Sequence, residues 1–308
     1  MNEISKSYLE VISNKFIGDK CYCLEFNAED ISVKPGQFLM IDCVSKENKE
    51  TSSLTLKRPI SFFRRGNKDR YAIMYKVKGK GTKALTHLKP NDQVEYMGPL
   101  GKPIDLDSIC KKDDIIHLIA GGVGIAPISF LADHLINRGN RVLVYLGFDA
   151  VGSYLNYCLN NLTYLGIDSD EIHISLVSRY PYFGQLLKAN SIGTYMGINT
   201  YIGNMISALD TSWLNIIKNV GGPVFACTPK PVTQDIHNNI SSDKRDCYIF
   251  EEAKMACGVG VCCSCNINGV HLCKEGPCVN SKLIYGGVKD HFDLAYRLVS
   301  AWAGWKSA

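Results

Sequence analysis

Six cysteines lie within 22 residues near the C-terminal end of the chain: Cys257, Cys262, Cys263, Cys265, Cys273 and Cys278. The first of them follow the spacing C-x4-C-x2-C, with further cysteines downstream, which is typical of plant-type [2Fe-2S] sites. Gly258 and Gly260 fit this interpretation, because a loop that turns its backbone N–H groups toward sulfur needs conformations that favour glycine. The segment is therefore predicted to fold around a metal centre rather than around disulfides.

A zinc site with four cysteines is the alternative, since Zn²⁺ also takes four thiolates. Zinc knuckles usually contain two C-x2-C pairs, however, and here a four-residue loop comes first. The spacing leaves the fourth ligand open between Cys273 and Cys278. In the iron-sulfur interpretation, Cys263 is a bystander inside the ligand loop.

Composition excludes several other classes of protein. The chain has 308 residues, of which 46% are hydrophobic and 21% charged, as in ordinary globular proteins. The formal net charge is +4, and the basic residues are scattered among acidic ones. Because nucleic-acid affinity depends on clustered basic residues, no nucleic-acid partner is expected.

Neither a signal peptide nor a membrane span is expected. The N-terminal segment carries Glu3, Lys6 and Glu10 and has no apolar centre. The longest uncharged stretch, Ile115 to Ala132, contains glycines and a proline, and it is interpreted as a buried strand, a turn and the start of a helix. A cytoplasmic location is expected, where metal-binding thiols stay reduced.

The first hundred residues are predicted to form a small antiparallel barrel, because short apolar strands alternate with turn signals such as Pro35-Gly36 and Pro90-Asn91. The predicted strands are Tyr8 to Ser13, Cys21 to Phe26, Gln37 to Cys43, Pro59 to Phe63, Tyr71 to Val77 and Gln93 to Met97.

After Asp114 the pattern changes to strands that alternate with helices, which predicts a Rossmann-like parallel sheet. The fold class is thus α/β plus all-β. The predicted domains are a barrel at 1–103, an α/β domain at 104–246, a small cluster domain at 247–289 and a helical tail at 290–308. The tail is interpreted as a packed amphipathic helix, with a subunit contact as the alternative.

A glycine-rich turn, Ala120-Gly-Gly-Val-Gly-Ile-Ala-Pro127, follows the first strand of this α/β region. Glycines let a backbone approach a pyrophosphate, and a helix N-terminus supplies N–H donors. Taken alone, the segment is also compatible with an ordinary tight turn between strand and helix. Its order of glycines differs from the usual GxGxxG of dehydrogenases.

Two polar segments stand out within the barrel: Arg58-Pro-Ile-Ser61 and Tyr75-Lys-Val-Lys-Gly-Lys-Gly-Thr82. Arginine can hold a phosphate with a fork of N–H donors. Gly79, Gly81 and Thr82, just before a predicted helix, could present backbone N–H groups to a second phosphate. A solvated basic hairpin is the alternative interpretation.

In this order, the motifs resemble the ferredoxin reductase family, and more closely the electron-transfer subunits of the NAD-dependent class 1B dihydroorotate dehydrogenases. The resemblance extends from about Tyr8 to Gly287. It implies an FAD-binding barrel, an NAD-binding domain and a [2Fe-2S] domain.

The resemblance also implies roles for individual residues. The FAD contacts are implied to be Arg58, Pro59, Ile60, Ser61, Met74, Tyr75, Lys76, Gly81 and Thr82. The NAD(H) contacts are implied to be Gly121, Gly122, Gly124, Pro127 and Cys227. Thr228 stands where the family has glycine. The motif Cys273-Lys-Glu-Gly-Pro277 matches the motif that contains the last cluster ligand in the family. The implied cluster ligands are therefore Cys257, Cys262, Cys265 and Cys273.

The implied function is electron relay, and no residue of this chain is expected to act as a catalytic acid or base. The implied partner is an FMN-containing catalytic subunit in a hetero-oligomer, a heterotetramer, that oxidises dihydroorotate in pyrimidine biosynthesis. Two alternatives remain open. The same relay could serve another complex, such as a ferredoxin:NADP oxidoreductase, or the chain could be a non-enzymatic redox sensor.

Overall fold

The computed structural model describes residues 7–29, 31–49, 53–54, 56–149, 152–176, 198–202, 205–209, 213–240 and 245–286. The predicted helical tail at 290–308 lies outside these residues. So does the segment Ser178 to Phe183.

Six strands near the N-terminus close into an antiparallel barrel in the order β1-β2-β5-β4-β3-β6. Their bounds are Ser7–Gly18 (β1), Cys21–Asn27 (β2), Phe38–Ile41 (β3), Arg58–Arg65 (β4), Arg70–Lys76 (β5) and Gln93–Leu100 (β6). Helix α1 (Lys80–Leu85) follows β5, and α2 (Leu106–Ile109) follows the barrel. Alternate apolar residues fill the interior, including the fully buried Leu24, Leu39 and Ile73. The predicted barrel is confirmed.

The following region forms a seven-stranded sheet in the order β10-β9-β8-β7-β11-β12-β15. The strands are β7 (Ile115–Gly121), β8 (Arg141–Phe148), β9 (Ile172–Leu176), β10 (Asn199–Ile202), β11 (Val224–Cys227), β12 (Cys247–Phe250) and β15 (Cys278–Asn280). All neighbouring pairs are parallel except β12 with β15. The predicted parallel sheet is confirmed, and it continues through β12 and β15 of the cysteine-rich region.

The helices of this region are α3 (Ile125–Asn137), α4 (Ser153–Tyr164), α5 (Met205–Ala208), α6 (Leu214–Val220) and α7 (Lys230–Ile240). The uncharged stretch from Ile115 to Ala132 forms β7, a turn and the start of α3, as predicted. Among the residues that the structure describes, no helix is long and apolar enough to cross a membrane.

The cysteine-rich region adds small elements between β12 and the end of the described chain. They are the hairpin β13 (Asn266–Ile267) and β14 (Val270–His271), and the short helices α8 (Leu272–Glu275) and α9 (Lys282–Tyr285). Their apolar residues pack into one core with β3 of the barrel, where Phe38 and Met40 are buried together with Cys265 and Cys273. The cysteine loop is therefore anchored next to the barrel.

Candidate functional site

The predicted FAD residues meet around one cavity of about 260 Å³. Because β4 and β5 are antiparallel neighbours, the start of one and the end of the other lie at the same end of the barrel. The predicted residues that line the cavity are Arg58, Pro59, Ile60, Ser61, Met74, Tyr75, Lys76 and Thr82. The structure thus brings together two segments that are separated in the sequence by about a dozen residues.

Gly81 contacts the guanidinium of Arg58 rather than lining the cavity. A Cβ atom at position 81 would lie 2.6 Å from Nε of Arg58. Beside it, the Thr82 hydroxyl accepts hydrogen bonds from the backbone N–H groups of Lys78 at 2.9 Å and Gly79 at 3.1 Å. The absence of a side chain at Gly81 therefore lets the arginine lie flat against the start of α1.

An ion-pair cluster holds the chain just before Arg58. Lys57 pairs with Asp42 at 3.2 Å and with Glu95 at 2.7 Å, and Lys49 pairs with Asp42 at 2.7 Å. Burial alone would raise the pKa of Glu95, but hydrogen bonds from Lys49 and Lys57 lower this pKa to about 2. The carboxylate is therefore charged at neutral pH, which keeps Lys57 in place.

Tyr75 is fixed by a residue that sequence reasoning missed. Its hydroxyl donates to Oδ1 of Asn14 at 3.0 Å, and the Asn14 side-chain amide donates to the carbonyl of Leu85 at 2.8 Å. The Tyr75 ring also stacks on Tyr22, with 5.5 Å between centroids. Asn14 joins β1, β5 and α1, and no local pattern reveals that role.

The glycine-rich turn lines a second, larger cavity of about 660 Å³ at the carboxyl ends of the parallel strands. Gly121, Gly122, Gly124 and Cys227 all border it, together with the cations Lys76, Lys78 and Lys230. This edge of a parallel sheet is where nucleotides bind in such folds. Pro127, which was predicted on the same site, borders the first cavity instead.

Two glycines allow the loops at this edge to approach each other. A Cβ atom at Gly124 would overlap the carbonyl of Cys227, and one at Gly121 would lie 2.8 Å from Cδ of Pro229. Gly122 has φ +54°, in the left-handed region that favours glycine. The turn is thus built from positions where a side chain is excluded or strained.

The two cavities adjoin, because they share the lining residues Lys76, Lys78, Val123, Gly124, Cys227, Glu251 and Glu252. Glu251 was not predicted, although it directly follows the buried strand β12, where a polar residue at the sheet edge is a usable signal. Its carboxylate accepts hydrogen bonds from the Tyr285 hydroxyl at 3.2 and 3.3 Å. Burial raises the pKa of Glu251, and likewise burial raises the pKa of the Cys227 thiol.

Tyr154 in α4 is a third residue that the sequence did not reveal. Its hydroxyl donates to the carbonyl of Gly122 at 2.8 Å and lies 3.5 Å from Sδ of Met74. This side chain therefore connects the nucleotide turn of the sheet to the barrel. Nothing in the local pattern of α4 distinguishes Tyr154 from a core residue.

The cysteine loop brings part of its predicted ligand set together. The sulfurs of Cys265 and Cys273 lie 3.3 Å apart, and the N–H of Gly260 donates to the Cys273 sulfur at 3.0 Å. The Cys257 sulfur accepts from the N–H groups of Val259 at 3.4 Å and Cys262 at 3.5 Å. Backbone N–H groups thus point at sulfur, as a negatively charged cluster requires.

The remaining cysteines differ in their surroundings. Cys278 lies in β15 opposite Phe250. Burial raises the pKa of its thiol, with further contributions from Cys227 and Cys247 rather than from the loop cysteines. Cys262 is exposed, and its contact with Ser264 lowers the pKa of its thiol to about 6. Within the described ranges, no three Cys, His, Asp or Glu side chains converge on a single-ion site. A [2Fe-2S] cluster instead spreads four thiolates over two irons.

Comparison with known proteins agrees with this geometry. Residues 252–285 match the iron-sulfur cluster binding domain of dihydroorotate dehydrogenase B. The chain is 27% identical over 284 residues to the electron transfer subunit of dihydroorotate dehydrogenase B (NAD(+)) from Geobacillus thermodenitrificans, covering 89% of this chain and 96% of that protein. The subunit from Listeria innocua is 28% identical over 278 residues, covering 87% and 94%.

The predicted resemblance is confirmed. The fold also matches solved ferredoxin reductases. The structure of an NADH-dependent reduced ferredoxin-NADP oxidoreductase aligns over 97% of this chain and 95% of that one, with a TM-score of 0.67 at 18% identity. Ferredoxin-NADP+ reductase from Plasmodium falciparum aligns over 78% and 94%, with a TM-score of 0.58 at 19% identity. The chain has a ferredoxin reductase fold with an iron-sulfur domain, and the predicted oxidoreductase class and cofactor classes agree with it.

Proposed function

We propose that this chain is an electron-transfer subunit that passes electrons between NAD(H) and a partner flavoenzyme, with FAD and a [2Fe-2S] cluster as its carriers. The similarity to electron transfer subunits of dihydroorotate dehydrogenase B supports a catalytic partner that contains FMN and oxidises dihydroorotate in pyrimidine biosynthesis. A hetero-oligomer in the cytoplasm, with the four domains divided as predicted, belongs to the same proposal.

One observation carries this proposal: the two cavities adjoin, and the cysteine loop packs against the strand that lines the first of them. Phe38 borders the first cavity, and Met40, two residues further along β3, contacts Gly258 of the loop. Alternate residues of a strand lie on the same face. The first cavity therefore adjoins both the second cavity and the strand that carries the cysteine loop, which supports a relay through these three places.

The residues present fit the proposed cofactors. We assign the first cavity to FAD, with the Arg58 guanidinium on its pyrophosphate, and the second to the NAD(H) pyrophosphate beside Gly121, Gly122 and Gly124. A flavin exchanges a hydride with NAD(H) and single electrons with an iron-sulfur cluster. The space beside Gly81 is occupied by the Arg58 guanidinium, which a side chain at position 81 would displace. This arrangement fits a role of Arg58 in binding an anion.

Side-chain contacts between the barrel and the parallel sheet fix the positions of the two cavities relative to each other. The Tyr154 hydroxyl contacts both Gly122 of the glycine-rich turn and Met74 of β5. Glu251 borders both cavities. We assign Cys257, Cys262, Cys265 and Cys273 to the cluster, because the sulfurs of Cys265 and Cys273 lie 3.3 Å apart and backbone N–H groups donate to the sulfurs of Cys257 and Cys273. Val259 and Val261 leave the loop's outer side exposed and apolar, which suits docking of a partner.

An anaerobic visible spectrum of the purified protein tests the relay. Flavin bands and iron-sulfur absorbance are both expected, and both should bleach when NADH is added. Bound cofactors that do not respond to NADH would contradict the electron-transfer proposal and favour a redox sensor.

The Cys262→Ser variant tests the order of the carriers, with Cys263→Ser as the matched control. Cys262→Ser should abolish electron exchange with the partner while NADH oxidation by artificial acceptors continues. Equal loss of both activities would contradict the order. Copurification with an FMN subunit active on dihydroorotate would separate the pyrimidine role from a ferredoxin:NADP oxidoreductase role.

A further inference from the structure

The Tyr154 hydroxyl holds one peptide unit of the glycine-rich turn, the unit between Gly122 and Val123. The hydroxyl oxygen lies 2.8 Å from the Gly122 carbonyl oxygen. A carbonyl has no proton to donate, so the proton in this contact comes from Tyr154. Burial raises the pKa of Tyr154, which keeps the hydroxyl protonated. The thioether of Met74, at 3.5 Å, is a longer and weaker acceptor for the same proton.

The other end of this peptide unit is the N–H of Val123. The unit is trans, because the cis bonds among the described residues are Gly98-Pro99 and Gly276-Pro277. In a planar trans peptide, the C=O and the N–H point in opposite directions. The carbonyl accepts hydrogen bonds from the Tyr154 hydroxyl and from the N–H of Ile125, so the Val123 N–H faces away from both donors. Val123 itself borders both cavities.

The orientation of this peptide unit is weakly restrained by the turn itself. Gly121 and Gly122 are consecutive, and Gly122 has φ +54°, in the left-handed region. Glycine has no side chain that would hinder rotation of the peptide that follows it. A Cβ atom at Gly122 would meet no atom within 4 Å, so surrounding side chains do not fix this position. The hydrogen bond from Tyr154 therefore adds a restraint that comes from outside the turn.

Tyr154 is itself held firmly. Its side chain is buried, and its ring packs edge-on against Phe148, with 5.8 Å between centroids. The start of α4 is pressed against the end of β1, where a Cβ atom at Gly18 would lie 2.7 Å from the backbone nitrogen of Tyr154. The hydroxyl also contacts Met74, which borders the first cavity. Both the barrel and the parallel sheet thus determine where the hydroxyl lies.

We propose that Tyr154 is a positioning residue for dinucleotide binding. It fixes the Gly122–Val123 peptide so that the Val123 N–H is turned to the second cavity and donates to a phosphate oxygen of the bound dinucleotide. Backbone N–H groups at the start of a helix suit this role, because they carry a partial positive charge that favours an anion. This inference rests on the proposed NAD(H) site and adds the side chain that prepares its backbone donor.

Calorimetric titration of the holoprotein with NAD⁺ and with ADP-ribose tests the inference without measuring activity. Both ligands contain the diphosphate, and ADP-ribose lacks the nicotinamide. Tyr154→Phe keeps the ring and removes the hydroxyl. It should weaken the binding of both ligands by the same factor, about three- to tenfold, as expected for the loss of one well-oriented hydrogen bond.

Tyr157→Phe is the matched control. It removes the same group from the same helix, but the Tyr157 ring packs on Phe63 at 6.2 Å and borders neither cavity. The affinities of this variant for both ligands should stay within about twofold of those of the unmodified protein.

A second measurement observes the peptide unit directly. Protein labelled with ¹⁵N-valine and with ¹³C in the glycine carbonyl gives selected NMR signals for valines that follow a glycine, and the signal that disappears in Val123→Ile belongs to Val123. Saturating ADP-ribose should shift the Val123 amide proton downfield in the unmodified protein and in Tyr157→Phe. The shift should be clearly smaller in Tyr154→Phe. A side chain that only stabilised the fold would not change this shift once the ligand is saturating.

Unchanged affinities in Tyr154→Phe, a loss confined to NAD⁺, or a full downfield shift of Val123 in this variant would each overturn the inference alone. A loss confined to NAD⁺ would place the effect at the nicotinamide rather than at the diphosphate. If the unmodified protein bound neither ligand, the proposed NAD(H) site would fail, and the inference with it.

Discussion

Gly258 of the cysteine loop lies directly against Met40 of the barrel. A Cβ atom at position 258 would stand 2.8 Å from Cγ of Met40 and 3.1 Å from Cδ1 of Leu100. Gly258 also has φ +74°, a conformation that side chains rarely adopt. The loop that we assign to the cluster is thus seated on β3, the strand that also borders the assigned flavin cavity.

Gly258→Ala is therefore expected to loosen the loop and to lower the content of iron and acid-labile sulfide per chain. Gly260→Ala is the matched control. Gly260 has a similar φ of +81°, but its added Cβ would meet only the flexible Lys274 side chain, at 3.3 Å. The backbone strain of about 1–2 kcal/mol is shared by the two variants, so the difference between them measures the contacts with Met40 and Leu100.

Adding Met40→Ala to Gly258→Ala should restore part of the cluster, because it removes Cγ and Sδ of Met40, two of the three atoms nearest to the new Cβ. Equal cluster contents in Gly258→Ala and Gly260→Ala would show that the contact with the barrel is unimportant.

Replacement of single cysteines by serine should divide them into two groups. Cys273→Ser is expected to abolish the iron-sulfur absorbance, because its sulfur lies 3.3 Å from that of Cys265 and accepts the Gly260 N–H. Cys278→Ser should retain the absorbance, since Cys278 lies in β15 beside Phe250. Iron analysis and the visible spectrum are the measurements, and a colourless Cys278→Ser protein of native fold would reverse the assignment.

Gly81→Ala should weaken FAD binding by about tenfold or more, because the new Cβ displaces the guanidinium of Arg58, and hydrogen bonds between charged groups are strong. Gly79→Ala is the control in the same segment, since a Cβ there meets no atom within 4 Å. The measurement is the dissociation constant of FAD from the flavin-depleted protein by fluorescence quenching. Equal affinity in the two variants would argue against a role for Arg58 in FAD binding.

Acidification should destabilise the protein through His117, a fully buried residue of β7. Its Nδ1 lies 3.1 Å from the Tyr145 hydroxyl and its Nε2 lies 2.6 Å from the Gly221 carbonyl. Burial lowers the pKa of His117 to about 4, below the ordinary value of 6.5. The unfolded chain therefore binds more protons between these two pH values, and stability is complete above pH 6.5 and falls as the pH drops toward 4.

The free energy of unfolding should consequently decrease by about 1 kcal/mol from this residue between roughly pH 7.5 and pH 5.5. Urea unfolding of the protein and of His117→Gln at both pH values measures the effect, and the variant should show a smaller decrease. An identical decrease in the two proteins would assign the pH dependence to other groups, such as the buried His173.

Local sequence patterns were sufficient to predict much of the fold. The six barrel strands and the alternation of strand and helix after Asp114 were predicted because side-chain periodicity records which face of each element is buried. The cysteine spacing and the glycine-rich turn pointed to the cofactors, because their chemistry needs particular residue types at short separations. The continuation of the sheet into β12 and β15 was not predicted, since periodicity does not say which strands pair.

The sequence by itself determined the barrel, the parallel sheet and the kinds of group that the chain presents, because these follow from interactions between neighbours in the chain. Only the tertiary structure decided which distant residues meet. It set Glu251 between the cavities and turned Pro127 toward the barrel side. Such contacts join segments far apart in sequence, and they depend on how the packed elements fit together rather than on any local preference.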